Sequence, residues 1–208
     1  MEEVLDLYHA PYDPSCPLVC MDESPKQLVA ETRSPLPMEP GKPRRFDYEY
    51  ERKGIAEIFM FTEPLTGLRW VNVRERRTRK DWAEQVRWLL EEIFPCAAKV
   101  TLVCDNLNTH TKASLYEAFD PKTANRLAKR LDLRHTPKHG SWLNIAEIEL
   151  KALSTQCLNR RIPDLATLAS ETRAWQHGRN AASRKVDWHF TTQDARTKLK
   201  SLYPTTQS

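Results

Sequence analysis

Short apolar runs and longer helical stripes alternate along the chain, and their periods predict most of its elements. Leu18-Val-Cys-Met21 is an apolar run that stops on Asp22, which predicts a short buried strand over 18–22. Ile55–Thr62 and Leu68–Arg74 are rich in β-branched and aromatic residues and flank Pro64-Leu-Thr-Gly67, so they predict a hairpin. Thr78 is placed to cap a helix in which Trp82, Val86, Leu89, Leu90 and Ile93 recur at helical spacing until Pro95 stops it. Across Lys99–Asp105, the residues Val100, Leu102, Val103 and Cys104 leave no polar face, as in a strand covered on both sides. Thr111–Phe119 and Lys122–Leu131 predict two short helices, and Leu131–His135 a further strand. Pro137–Gly140 is a turn, and Ser141 is expected to cap a helix that runs to Asn159. Pro163 and Asp164 open another helix through Trp175, and the tail Trp188–Tyr203 ends in a short one.

Prolines punctuate the rest. Pro11, Pro14 and Pro17 predict an extended lead-in over residues 1–17. Pro35, Pro37, Pro40 and Pro43, with Gly41 and Gly54, predict a long irregular excursion over 31–54 inside a main domain that spans 18–204. Strand, hairpin, helix, strand, helices, strand, helix and helix is the order of an α/β fold: a mixed sheet with helices on both faces. A length of 208 residues suits one compact domain, alone or with an arm, and no internal repeat is present.

Composition narrows the picture. With 40% hydrophobic and 29% charged residues the chain is globular rather than disordered. The net charge is only +4, yet the cations are bunched: Arg74, Arg76, Arg77, Arg79 and Lys80 form one run, Lys122, Arg126, Lys129 and Arg130 another, and Arg160 and Arg161 a pair. Such bunching suits a polyanion such as nucleic acid, although each cluster reads equally well as a solvated helix face. Five scattered cysteines lack the paired spacing of a structural zinc site, and Cys104, inside an apolar run, reads as a buried hydrophobe. No apolar stretch approaches the ~20 residues needed to span a bilayer, and Met1-Glu-Glu-Val has no signal-peptide character. The expectation is an intracellular chain with no membrane partner.

The chemistry gathers at strand ends. Asp22 ends the first apolar run. Asp105 ends the buried strand and leads into Asn106-Leu-Asn108-Thr-His110, more polar groups than an Asx turn requires. A third acid lies on the helix after Trp142. On its wheel Glu147 falls at the edge of the apolar arc, where a cleft ligand would stand, and Glu149 falls nearer the middle, where a buried ion-pair partner would stand. Asn144, like Asn106, Asn108 and His110, is a candidate to orient a carboxylate from behind. Convergence of Asp22, Asp105 and Glu147 would hold two divalent ions about 3.5–4 Å apart, a spacing suited to in-line phosphoryl transfer without a Ser or Cys nucleophile. With only 5 glycines and no Gly-rich phosphate loop, nucleoside-triphosphate hydrolysis is disfavoured.

These segments carry a resemblance. Asp105-Asn-Leu-Asn-Thr-His110 and Ser141-Trp-Leu-Asn-Ile-Ala-Glu147, with Cys20-Met-Asp22-Glu-Ser-Pro-Lys-Gln27 before them and Trp188-His-Phe-Thr-Thr-Gln-Asp-Ala-Arg196 after, resemble the catalytic domain of bacterial insertion-sequence transposases related to the mariner type. The resemblance covers residues 15–204 and implies an RNase H-like DDE domain. It implies Asp22, Asp105 and Glu147 as catalytic and metal-ligating residues, Mg2+ or Mn2+ as cofactor, and cleavage and transfer of DNA strands. Transposon ends and target DNA would be the partners, and the basic runs, with Lys112, Lys138 and His139, would be the candidate DNA contacts. A bacterial cytoplasmic protein associated with the nucleoid follows, and a homodimer is compatible with it.

Two departures from the family stand out. Its members carry N-terminal helix-turn-helix domains, and none is expected here ahead of Asp22, so sequence choice would rest on an end-binding domain supplied in cis or in trans, a separate helix-turn-helix chain being one form of it. The stretch from Asp105 to Glu147 is also somewhat longer than in mariner relatives, from the helix near Lys122–Arg130. Two rival functions remain open: a stand-alone metal-dependent nuclease, and a catalytically silent, domesticated DNA-binding remnant that keeps the fold.

Overall fold

A computed structural model of the chain describes residues 1–203 apart from Arg44, Phe46 and His139. The upper limit of the expected main domain, residue 204, thus lies just outside the described residues. Five strands form one mixed sheet in the order β3-β2-β1-β4-β5: β1 Leu18–Glu31, β2 Tyr50–Glu63, β3 Leu68–Arg74, β4 Val100–Cys104 and β5 Leu131–His135. β1, β2 and β3 run antiparallel to one another in turn, while β4 pairs parallel with both β1 and β5. The helices are α1 Glu2–His9, α2 Arg79–Trp88, α3 Lys112–Ala118, α4 Pro121–Arg130, α5 Ile145–Gln156, α6 Leu165–Ala181 and α7 Thr192–Lys198.

The two-residue period of the strands sorts the core into two layers. Cys20, Ile58, Met60 and Val103 face α1, α5 and α6, where they meet Leu5, Ile145, Ala146, Leu153 and Leu168. Val19, Met21, Phe59, Phe61, Leu102 and Cys104 face the other way, onto Trp82, Val86, Leu89 and Leu90, Leu115 of α3 and Leu127 of α4. All five residues of β4 are buried, as its unbroken apolar run predicts. The hairpin forms as expected, and Gly67 closes it at φ +75°, where a Cβ would come within 3.0 Å of the Arg184 backbone. Thr78 and Asp81 cap α2 reciprocally. Before Pro95 the helix widens into a π turn over Leu89–Ile93, and Leu89 and Leu90 are both fully buried there.

Four expectations are corrected. Residues 2–9 are helical, not extended: Val4, Leu5 and Tyr8 share one face and are buried, and the prolines follow the helix rather than interrupt it. The Tyr8 hydroxyl donates to the Leu143 carbonyl at 2.5 Å, and Arg196 of α7 holds Glu2 at 2.7 Å, so α1 is part of the packed body. The first strand runs for 14 residues instead of stopping at Asp22, because β2 pairs with it as far as Glu31 despite Pro25 and a register shift between Gln27 and Val29. The irregular excursion is correspondingly shorter, residues 32–49, with isolated bridges Leu36↔Arg45 and Glu39↔Lys42. Lastly, α6 continues past Trp175 to Ala181.

If α1 is a packed element, Leu5→Ala should cost about 2–5 kcal/mol, as for a buried leucine. Denaturant unfolding checks this; an extended arm would lose no more than about 0.5 kcal/mol.

Candidate active site

The parallel pairing of β1 with β4 matches Leu18 with Thr101, Val19 with Leu102 and Cys20 with Val103. Asp22 and Asp105 each lie two residues beyond the Cys20–Val103 pair, so they stand level where β4 ends. Asp22 shares the sheet face of Cys20, the face on which α5 packs. Glu147 is in the first turn of α5, half-buried.

The three acids are close enough to act on one another. Burial drives the Asp22 carboxyl up to about 7, an amide hydrogen bond from Glu23 opposes this, and the charges of Asp105, Glu23 and Glu147 add to the rise. Among the described residues no three His, Cys, Asp or Glu side chains close around a common ion position. The donor set nevertheless suits a hard divalent cation: it is all carboxylate oxygen, and the mutual repulsion felt at Asp22 is what a bound cation would relieve.

Behind Asp105 stands a fully buried imidazole. His110 Nδ1 is 3.2 Å from the Asp105 carbonyl oxygen and 2.7 Å from Oδ1; the geometry directs the hydrogen bond to the carbonyl, so the carboxylate contact is chiefly electrostatic. Its Nε2 is 2.9 Å from Glu23 Oε1, and the ring stacks on Trp82 with centroids 5.7 Å apart. Burial works against charging the ring, but Asp105 and Glu23 outweigh it and push His110 up to about 12. Asp105 is correspondingly lowered: burial opposes the drop, and the contact with His110 brings it about. Asn106 and Asn108 are exposed and make no side-chain hydrogen bond among the described residues, so of the expected supports beside Asp105 it is His110 that reaches it.

Asn144 has a different task from the one expected. Ser141–Leu143 forms a 3-10 turn, so Ser141 is not the cap; Asn144 caps α5 by accepting from the Ala146 amide at 3.2 Å. Its Nδ2 donates to the Met21 carbonyl at 2.8 Å, which ties the start of α5 to the residue before Asp22. Glu149 is engaged by two arginines. It is 1% exposed, with its carboxylate 2.9 Å from Arg69 Nε and 3.0 Å from Arg179 Nη2. Neither Arg69 nor Arg179 stood out in the sequence, since an arginine inside a strand and one late in a helix carry no local sign of a shared buried partner.

The basic candidates divide. Arg74 is held by Asp81 and Glu84 at 3.2 and 2.7 Å, Arg79 pairs with Glu117, and Arg77 lies 3.8 Å from Glu57. Arg126 pairs with Glu91 at 2.5 Å. Arg130 donates to the carbonyls of Phe94, Pro95 and Ala97, which precede β4, and so stands at the end of the sheet opposite Asp105. Arg76, Lys80, Lys112, Lys122, Lys129 and Lys138 are exposed and make no ion pair among the described residues. Of these, Lys112 opens α3 two residues after His110, and Lys138 follows β5 on the side of the sheet where β4 ends. His139 lies outside the described residues.

Residues 17–169 match the family model for DDE superfamily endonucleases. No curated protein sequence matches the chain. Among solved structures it is similar to the Mos1 mariner paired end complex with Mn, with TM-score 0.56 and 15% identity over 85% of this chain and 52% of that one. The Mos1 strand transfer complex gives 0.57 and 15% over 85% and 51%, and a pre-cleavage Mos1 transpososome 0.53 and 14% over 90% and 61%. The chain thus spans about half the length of the first two. At these identities the likeness is one of fold: a mixed five-stranded sheet flanked by helices, like the RNase H-like catalytic domain of Mos1 transposase.

The two neighbouring glutamates should respond oppositely to truncation. Glu149→Ala leaves Arg69 buried without its partner and should cost about 3–5 kcal/mol of stability. Glu147→Ala should stay within about 0.5 kcal/mol of the wild type. Urea titration of both variants checks the contrast.

Proposed function

The chain belongs to the DDE superfamily of endonucleases, and from that premise we propose that it is the catalytic domain of a transposase. In this reading it cuts and joins DNA strands in the transposition of a bacterial insertion sequence. The observation that carries the reading is the level placement of Asp22 and Asp105 at the end of β4, beside the first turn of the helix that bears Glu147. Asp22, Asp105 and Glu147 would hold Mg2+ or Mn2+, two ions in all. Such ions supply positive charge to an attacking water or 3′-hydroxyl and to the leaving oxygen of the phosphodiester.

The residues of the chain prepare that chemistry. His110 fixes Asp105 from behind and keeps it ionised. Asn144 fixes the start of α5, and hence Glu147, against β1. Burial of Asp22 keeps bulk water from competing for its oxygens. Exposed cations near this end of the sheet, Lys112 and Lys138, with Arg76 and Lys80 beyond β3, would contact backbone phosphates rather than bases. The Mos1 complexes to which the fold is similar include a paired end complex with Mn and a strand transfer complex, which supports DNA ends and a divalent metal as partners here too. Choice of transposon ends would then rest on a helix-turn-helix reader acting with this domain, in a homodimeric assembly. No helix among the described residues is long and apolar enough to cross a membrane, in keeping with a nucleoid-associated enzyme.

Nicking of supercoiled plasmid should require Mg2+ or Mn2+ and stop with EDTA. Asp105→Asn should abolish it while circular dichroism stays unchanged, because one charge is lost at nearly constant volume. Turnover above background in that folded variant would end the assignment.

DNA binding by this domain should be weak and sequence-indifferent, with dissociation constants on the order of 10⁻⁴–10⁻⁶ M and a steep salt dependence. Replacing Arg76, Lys80, Lys112 and Lys138 by Gln should flatten the slope of log K against log salt. Replacing Arg130 should leave that slope unchanged, since its guanidinium serves the loop before β4. Fluorescence anisotropy across a salt series checks both.

A further inference from the structure

Glu23 is one residue from Asp22 but on the opposite face of β1, in line with Val19 and Met21. Its side chain is 2% exposed, unusual for a glutamate on a strand whose neighbours include another acid. It is engaged at one oxygen, 2.9 Å from His110 Nε2, while the other nitrogen of the same ring meets Asp105 at 2.7 Å. The ring thus bridges the two acidic residues, with Nδ1 also 3.2 Å from the Asp105 carbonyl oxygen. Its ring plane is set by the face of Trp82. The line Glu23–His110–Asp105 therefore runs through the sheet edge from a closed interior to the half-open carboxylate of Asp105, whose side chain is 33% exposed.

We propose that Glu23 is a positioning residue for the metal-dependent reaction, acting through His110 to fix the orientation of Asp105. The inference rests on Asp105 being a metal ligand, as proposed above. With Glu23 in place, the ring is held at both ends and presents Nδ1 to Asp105 in one orientation only. Without the Glu23 carboxylate, Nε2 loses its hydrogen-bond partner. The ring is then free to swing on its χ angles, and Asp105 loses a fixed neighbour. Supports of this kind, one step behind a ligand, typically change metal affinity 10–100-fold when removed.

The test uses the full chain and Mn2+ as probe, with binding read by electron paramagnetic resonance and nicking by the plasmid assay. Glu23→Leu keeps a buried side chain of similar bulk but removes the acceptor that holds Nε2. It should weaken Mn2+ binding 10–100-fold and raise the Mn2+ concentration for half-maximal nicking by a similar factor. Its circular dichroism and its DNA affinity in EDTA should match the wild type, which a merely structural loss would not allow. The paired change Glu23→Leu with His110→Phe removes both buried partners together, a replacement that folds tolerate well. It should keep the stack on Trp82 and show the same loss of Mn2+ affinity. Wild-type Mn2+ affinity in either folded variant overturns the proposal. A wild-type chain that binds no Mn2+ overturns the metal site itself and this inference with it.

Discussion

The arrangement of the whole site depends on a short parallel pairing, three residues of β1 against three of β4. Parallel strands need a long crossover, and here it is the entire hairpin and α2 that separate Glu31 from Val100. The return is that two residues far apart in sequence arrive level at one end of the sheet. A slip of one residue would carry Asp22 to the face now occupied by Glu23, away from α5. Register is held because both faces of β4 are buried and because Val19 and Cys20 belong to different cores.

Against that fixed pair, α5 is set by two tethers of opposite character. At its start, Asn144 bridges the helix to the Met21 carbonyl, a neutral link of a kind worth about 1 kcal/mol. One turn later, Glu149 is clasped by Arg69 from β3 and Arg179 from α6. Burying that group is not a bargain in stability, since desolvation offsets much of the attraction. Its effect is geometric: a planar fork from each arginine fixes the rotation of α5 about its axis. Rotation decides which acid faces the aspartates, and two residues on an α-helix are about 200° apart. With Glu149 locked between the two arginines, Glu147 stands half-buried in the first turn, near enough for its charge to act on Asp22.

Elements whose burial matches a simple period were legible in the sequence. The hairpin, β4, β5 and α2 all fall where their patterns place them, and so does the contrast between Glu147 and Glu149 on the helical wheel. What escaped depended on partners distant along the chain. The second half of β1 reads as polar because β2 supplies its pairing and solvent meets much of it. The helix α1 is short, and its three buried residues are convincing only once Leu143 and Trp188 lie beside Tyr8. Ser141 was expected to cap α5, but Asn144 is the cap, and its tie to the Met21 backbone is a contact the local sequence does not show. The basic runs could be counted, but not which cations were already engaged by acids elsewhere. Arg130 is the plainest case, its charge turned onto three carbonyls ahead of β4.

Beyond Cys20, β1 has left β4, and up to Glu31 its outer edge pairs with no strand among the described residues, although the Met21 carbonyl accepts from Asn144 and the Val29 amide donates to Ile162. A bare strand edge of that length invites pairing with other chains and so threatens solubility. Three features of this stretch blunt the invitation. Pro25 has no amide hydrogen to offer, Lys26 carries its charge across to the carbonyls of Leu158 and Arg160, and the shift between Gln27 and Val29 breaks the repeat a foreign strand would need. Pro25 is thus a safeguard against aggregation, and its replacement by a β-branched residue would tend to lengthen the sheet from molecule to molecule.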